Sequence, residues 1–98
     1  MDEKLLDALR QVVDPELQVN IVDLGLVYSA ELSDGDAEVS MTLTAPGCPM
    51  ARALIEMAEA AIWNQVPGVK SVRVRLVWSP PWRPEMMSDA AKDELGWD

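Results

Sequence analysis

Histidine is absent from this 98-residue chain, cysteine occurs once, and positive charge is scarce: 8 Lys and Arg stand against 17 Asp and Glu, for a net charge of −9. Without histidine, a Ser-His or Cys-His nucleophilic site has no base and zinc loses its commonest ligand. A hydrolase reading starts badly. A single cysteine closes no internal disulfide, which agrees with a reducing compartment. Arg73 and Arg75 form the only close basic pair, so a surface that tracks a phosphate backbone is lacking and no nucleic-acid partner is expected. No apolar run approaches the roughly 18 residues that span a bilayer, and no membrane partner is expected. The opening Met1-Asp2-Glu3-Lys4 lacks the basic-then-apolar layout of a secretion signal, so a cytoplasmic location is expected.

What the chain does have is enough for a modest core. Hydrophobic residues make up 49% of it, and proline and glycine cluster at turns. A single domain over residues 1–98 is expected, hiding about 65% of its unfolded surface. From Asp2 to Val13, Leu5, Leu6, Leu9, Val12 and Val13 fall on one side of a helical wheel, opposite Glu3, Lys4, Asp7, Arg10 and Gln11. Asp14-Pro15 ends that helix, because a residue before proline is pushed out of helical geometry. A loop runs on to Gly25.

Val27–Leu32 and Ala37–Thr44 flank Ser33-Asp34-Gly35-Asp36, and Asp-Gly between two strand patterns signals a hairpin. With Asp34-Gly35 at the tip, Leu32 faces Ala37, Ala30 faces Val39 and Tyr28 faces Met41, giving one apolar face. Glu31 then lies opposite Glu38, a small repulsion that Arg73 or Arg75 would relieve. Met50–Val66 reads as a second helix burying Met50, Leu54, Met57, Ala58, Ala61 and Ile62, with Trp63 on the other side and Pro67-Gly68 as its stop. Val69–Trp78 is a third strand with Val72, Val74, Leu76 and Trp78 inward. Ser88 caps a short helix ending at Leu95, before Gly96. The expected fold class is α/β: a two-layer sandwich, helix-hairpin-helix-strand-short helix, whose small mixed sheet is covered by helices on one face. The helical crossover makes the third strand parallel to the second.

Cys48 stands in Thr42-Leu43-Thr44-Ala45-Pro46-Gly47-Cys48-Pro49, where a strand pattern gives way to a helix pattern. Proline is favoured at the first helical position, so Pro49 marks Cys48 as the N-cap, its sulfur facing unpaired N–H groups that favour thiolate over thiol, an effect that the carboxylates of Asp14, Glu16 and Asp23 at the same end oppose. The plainer reading is a small buried hydrophobe. The prolines and glycine around it describe a stiff turn rather than a core position. The topology brings other segments to the same end of the sheet, where sites in α/β folds gather: the loop carrying Asp14, Glu16 and Asp23, then Thr44, then Pro80-Pro81-Trp82. Each has a structural alternative. Asp14 can end a helix, Glu16 can be solvated, Asp23 can make an Asx turn, and Trp82 can cover the edge of the core.

These segments carry a resemblance. Asp14-Pro15-Glu16, Asn20-Ile21-Val22-Asp23-Leu24-Gly25-Leu26-Val27, Thr42-Leu43-Thr44 with Gly47-Cys48-Pro49, and Pro80-Pro81-Trp82 follow one another as do the motifs of the SufT-like iron-sulfur cluster assembly family. The resemblance covers nearly the whole chain. It implies a non-enzymatic accessory factor in iron-sulfur cluster assembly or delivery, with iron-sulfur assembly proteins and apo-enzyme clients as partners. It implies that Cys48 is the residue that meets cluster or metal, and that Asp14, Glu16, Asp23, Thr44, Pro81 and Trp82 belong to a binding surface. Relatives of the PaaD type carry a cysteine-rich C-terminal extension, which is missing here. Others are fused to a nucleotide-binding ATPase, but there is no Gly-rich phosphate loop, so the stand-alone form is expected.

A [2Fe-2S] or [4Fe-4S] cluster takes about four cysteinyl ligands, and one chain offers one. Three arrangements remain: a cluster shared across a homodimer and completed by small thiols, transient ligation during hand-over, or a scaffolding contact. Transient or scaffolding contact is expected ahead of stable holding, so no cofactor is expected to stay bound. Two readings from other classes stay open. One is a thiol-dependent enzyme with Cys48 as nucleophile and Asp23 or a substrate group as base; the other is a plain interaction module, using Trp82 and Trp63, in which Cys48 is structural.

Overall fold

The computed structural model describes residues 1–44 and 50–96. The elements run α1 (Glu3–Leu9), β1 (Val27–Ser33), β2 (Asp36–Met41), α2 (Ala51–Gln65), β3 (Ser71–Leu76), a 3-10 turn η1 (Pro84–Met86) and α3 (Asp89–Leu95). The three strands form one sheet in the order β1-β2-β3, with β1 antiparallel and β3 parallel to β2. α1 packs on α2 and β1, and α2 packs on β3. The expected two-layer α/β arrangement, mixed sheet included, is what the chain adopts.

Local chemistry explains most element ends. The Asp2 carboxylate accepts from the N–H groups of Lys4 and Leu5 and starts α1, supplying the acceptor that an unpaired helix start needs. Ser88 does the same for α3 by accepting from Ala91, and Gly96 closes it at φ 72°. Asp34 and Gly35 both hold positive φ, 50° and 86°, the geometry a tight hairpin demands. The core gathers Leu5, Leu9, Ile21, Leu24, Leu26, Met41, Leu54 and Ile62, all fully buried. Each such side chain stabilises the fold by about 1.5–3 kcal/mol relative to exposure.

The hairpin register holds for Leu32 with Ala37, Ala30 with Val39 and Glu31 with Glu38. Arg73 of β3 stands beside Glu38, the cation that the two facing glutamates call for. The register fails at Tyr28. The strand shifts between Val27 and Ser29, so Val27 rather than Tyr28 pairs with Met41. A bulge adds a residue that period-2 counting cannot see.

Four other expectations are corrected. α1 stops at Leu9, and Val13 leaves the helical stripe to bridge Asn20, 42% exposed. Met57 is also 42% exposed, because the buried row of α2 is the narrower Leu54-Ala58-Ile62. β3 ends at Leu76, and Trp78 lies beyond it, 45% exposed. The N-cap of α2 is Met50, with no side-chain cap bond; the expected cap Cys48 and first helical residue Pro49 lie outside the described residues.

Candidate functional site

The loop between α1 and β1 is built on its own polar side chains. Asp14, 7% exposed, accepts at Oδ1 from the backbone N–H of Glu16 at 2.8 Å and of Leu17 at 3.1 Å. Its own N–H donates to the Val19 carbonyl. A carboxylate this well supplied with backbone donors holds a turn, which stiffens the loop. Glu16 points a free carboxylate into solvent from that turn. Further on, Asn20 and Asp23 clasp each other: Asn20 Nδ2 donates to Asp23 Oδ2 at 2.8 Å, and the Asp23 N–H donates to Asn20 Oδ1 at 2.9 Å. Sequence reasoning passed over Asn20, although its spacing of three from Asp23 is a turn signal.

The C-terminal segment is tied onto this loop. The Ser88 N–H donates to the Asp23 carbonyl at 2.8 Å. Trp82 Nε1–H donates to the Leu24 carbonyl at 2.7 Å, and the Tyr28 hydroxyl donates to the Pro80 carbonyl at 2.7 Å. Partial burial raises the Tyr28 hydroxyl above its ordinary 10.0. Gly25 sits at φ 78°, so close to the Met86 backbone that a Cβ would collide with it. That glycine lets η1 lie against the loop.

Three expected site residues meet in one place. Thr44, Pro81 and Trp82, with Leu43 and Trp78, line a mainly apolar cavity of about 250 Å³. Trp78, expected in the core, instead forms part of this wall. Asp23 does not line it; the next residue, Leu24, accepts from the Trp82 indole, while Asp14 and Glu16 belong to the turn before Asn20. Among the described residues, no three Asp, Glu, Cys or His side chains come together as metal ligands. The carboxylates of Asp14, Glu16 and Asp23 therefore form no cation site between them. Cys48, the expected cluster contact, lies outside the described residues; it is the fourth residue after Thr44. Of the two bases open to the enzyme reading, Asp23 has its Oδ2 engaged by Asn20; a substrate group is the other.

Thr42 is fully buried at the end of β2, and its Oγ1 has no hydrogen-bond partner among the described residues. Its N–H donates to the Leu26 carbonyl, which holds β2 against the start of β1. Only the buried hydroxyl is unaccounted for. Sequence reading had no means of finding it, since threonine is at home in any strand.

A family model described as "Iron-sulfur cluster assembly protein" matches residues 2–76. The chain belongs to this family. It is 45% identical over 97 residues to the Fe-S protein maturation auxiliary factor YitW of Bacillus subtilis, covering 98% of this chain and 94% of that relative. It is also 45% identical over 86 residues to the Fe-S protein maturation auxiliary factor SufT of Staphylococcus aureus, covering 87% and 97%. Among solved structures, a domain of unknown function from Bacillus anthracis superposes with a TM-score of 0.93 at 43% identity, covering 96% of this chain and 90% of that one. These relatives are named as auxiliary factors rather than enzymes. No helix among the described residues is long and apolar enough to cross a membrane.

Proposed function

We infer that this protein is an accessory factor in the maturation of iron-sulfur proteins, acting in cluster assembly or in delivery to apo-proteins, and that it works through Cys48. The observation that carries the reading is the family match over residues 2–76, which spans the Asp14 loop, Thr44 and Cys48 together. Iron in these clusters is held by thiolates, about four to a cluster, and one chain supplies a single cysteine. The cluster is then cargo rather than a resident group. In hand-over, the Cys48 thiolate forms one bond to iron as another thiolate leaves. Charge and oxidation state are conserved, and the remaining ligands come from the donor or the client. The cavity lined by Thr44, Trp78, Pro81 and Trp82 supports this assignment by placing an apolar contact surface where the chain enters the Cys48 segment.

The test is the specific activity of [4Fe-4S] enzymes in cells lacking the gene. Activity falls while polypeptide levels hold, and reconstituting the extract with iron and sulfide restores it. Undiminished activity contradicts the reading, as does a loss that reconstitution does not repair.

A further inference from the structure

The two edges of the sheet differ. On the β1 side, the segment before α1 takes up one outward carbonyl: the Asp2 N–H donates to the Ala30 carbonyl at 2.7 Å. On the β3 side nothing equivalent is found among the described residues. The N–H groups of Ser71 and Val77 donate to Gly35 and Met41, toward β2. Strand alternation turns Arg73 and Arg75 the same way and directs the backbone groups of Val72, Val74 and Leu76 outward. Those outward groups bond to no other described element.

Burial tells the same story. In β2, Ala37, Val39 and Met41 are 1%, 1% and 0% exposed. Their register partners Val72, Val74 and Leu76 lie on the same face but stay only partly covered. The core layer thins toward β3 because no further strand flanks it.

β3 itself carries only basic charge on its exposed face, with the acids Asp36 and Glu38 one strand behind it on β2. Lys70, Arg73 and Arg75 are three of the eight basic residues in a chain of net charge −9. Among the described residues none of them has a carboxylate within ion-pair distance; the pairs found are Arg10–Asp7 and Arg52–Glu56. A second copy of the chain suits this edge poorly, because β3 against β3 sets arginines beside arginines on one face. An extended segment bearing acids opposite Arg73 and Arg75, and apolar residues alongside Val72, Val74 and Leu76, matches it in charge, apolar cover and hydrogen bonding.

We propose that the β3 edge, Ser71–Leu76, is a docking strand for an extended segment of another protein in which acidic and apolar residues alternate. Binding adds a fourth strand: main-chain bonds to Val72, Val74 and Leu76 hold the segment, and the arginines select its charge. The proposal goes beyond the maturation reading, and its test measures binding alone.

The test titrates ¹⁵N-labelled protein with a capped hexapeptide of alternating valine and glutamate. The controls are the valine–lysine counterpart and the valine–glutamate peptide N-methylated on its strand-facing amides. The expected result is saturable binding of the acidic peptide, with exchange at the amides of Val72, Val74 and Leu76 slowed by about ten-fold or more. The lysine and N-methylated peptides bind at least about ten-fold more weakly. The exposed double variant Arg73→Glu/Arg75→Glu reverses the preference toward lysine. The proposal is overturned by no binding at millimolar peptide, by equal binding of the acidic and basic peptides, or by perturbations that map away from β3. Protection of the edge amides that grows with protein concentration alone also overturns it, since the occupant is then a second copy.

Discussion

The indole Nε1–H of Trp82 donates to the backbone carbonyl of Leu24 at 2.7 Å, across 58 positions of sequence. This bond locks the Pro-Pro-Trp segment, which lines the candidate cavity, onto the loop that carries Asp23. Trp82→Phe keeps most of the apolar contact and removes the donor. A loss of about 1–2 kcal/mol is expected in chemical denaturation, the usual cost of orphaning a partly buried carbonyl. No change would mean that the ring packs without help from the bond.

Gly25→Ala tests the same junction from the loop side. The residue needs φ 78°, and its Cβ would collide with the Met86 backbone. Strain and collision add, so a loss of at least about 2 kcal/mol in a thermal melt is expected. A neutral substitution would show that η1 is free to move off the loop.

Much of the fold was legible because its signals are local. Asp34-Gly35, Ser88 and Gly96 each act within a few residues, and the α2 crossover sets β3 parallel to β2 by chain geometry, whereas α1 ends at Leu9, well before the Asp14-Pro15 stop. The Tyr28 bulge, by contrast, depends on how the strand start meets the C-terminal segment, where its hydroxyl bonds Pro80. Trp78 looked like a fourth inward position by alternation, yet β3 had already ended. In the site, the meeting of Thr44, Pro81 and Trp82 followed from strand direction. The turn that Asp14 holds did not, because a carboxylate that binds backbone N–H groups and one that awaits a ligand look identical in sequence; and the Asx turn expected at Asp23 is made by Asn20 instead.

The buried hydroxyl of Thr42 yields a third prediction. Thr42→Val keeps the shape and removes a polar atom that has no partner among the described residues. Stability should hold or rise by up to about 1 kcal/mol, read from the denaturation midpoint. A loss larger than that would show that the hydroxyl has a hydrogen-bond partner in the folded protein.

Tyr28 supplies a pH signature, and as the only tyrosine it can be followed by absorbance alone. Desolvation raises its pKa in the folded protein above 10.0. The folded state therefore holds the phenolic proton more tightly than the unfolded state. Its contribution to stability is complete below about pH 10 and is lost as the pH climbs through the folded value. A spectroscopic midpoint above 10.0, and a gentler alkaline loss of stability in Tyr28→Phe, are the expected results. A midpoint below 10.0 would contradict them.

The central claim is that the Cys48 sulfur itself takes part in cluster maturation. The most direct measurement is the activity of cluster-dependent enzymes in cells whose only copy carries Cys48→Ser, with the variant's abundance and melting temperature determined in parallel. Serine is close in size but supplies no thiolate at neutral pH. The account predicts normal abundance, a stability change below about 1 kcal/mol, and maturation reduced to the level of the gene deletion. A serine variant that is strongly destabilised, while its folded fraction supports normal maturation, would contradict the account and make Cys48 a packing residue.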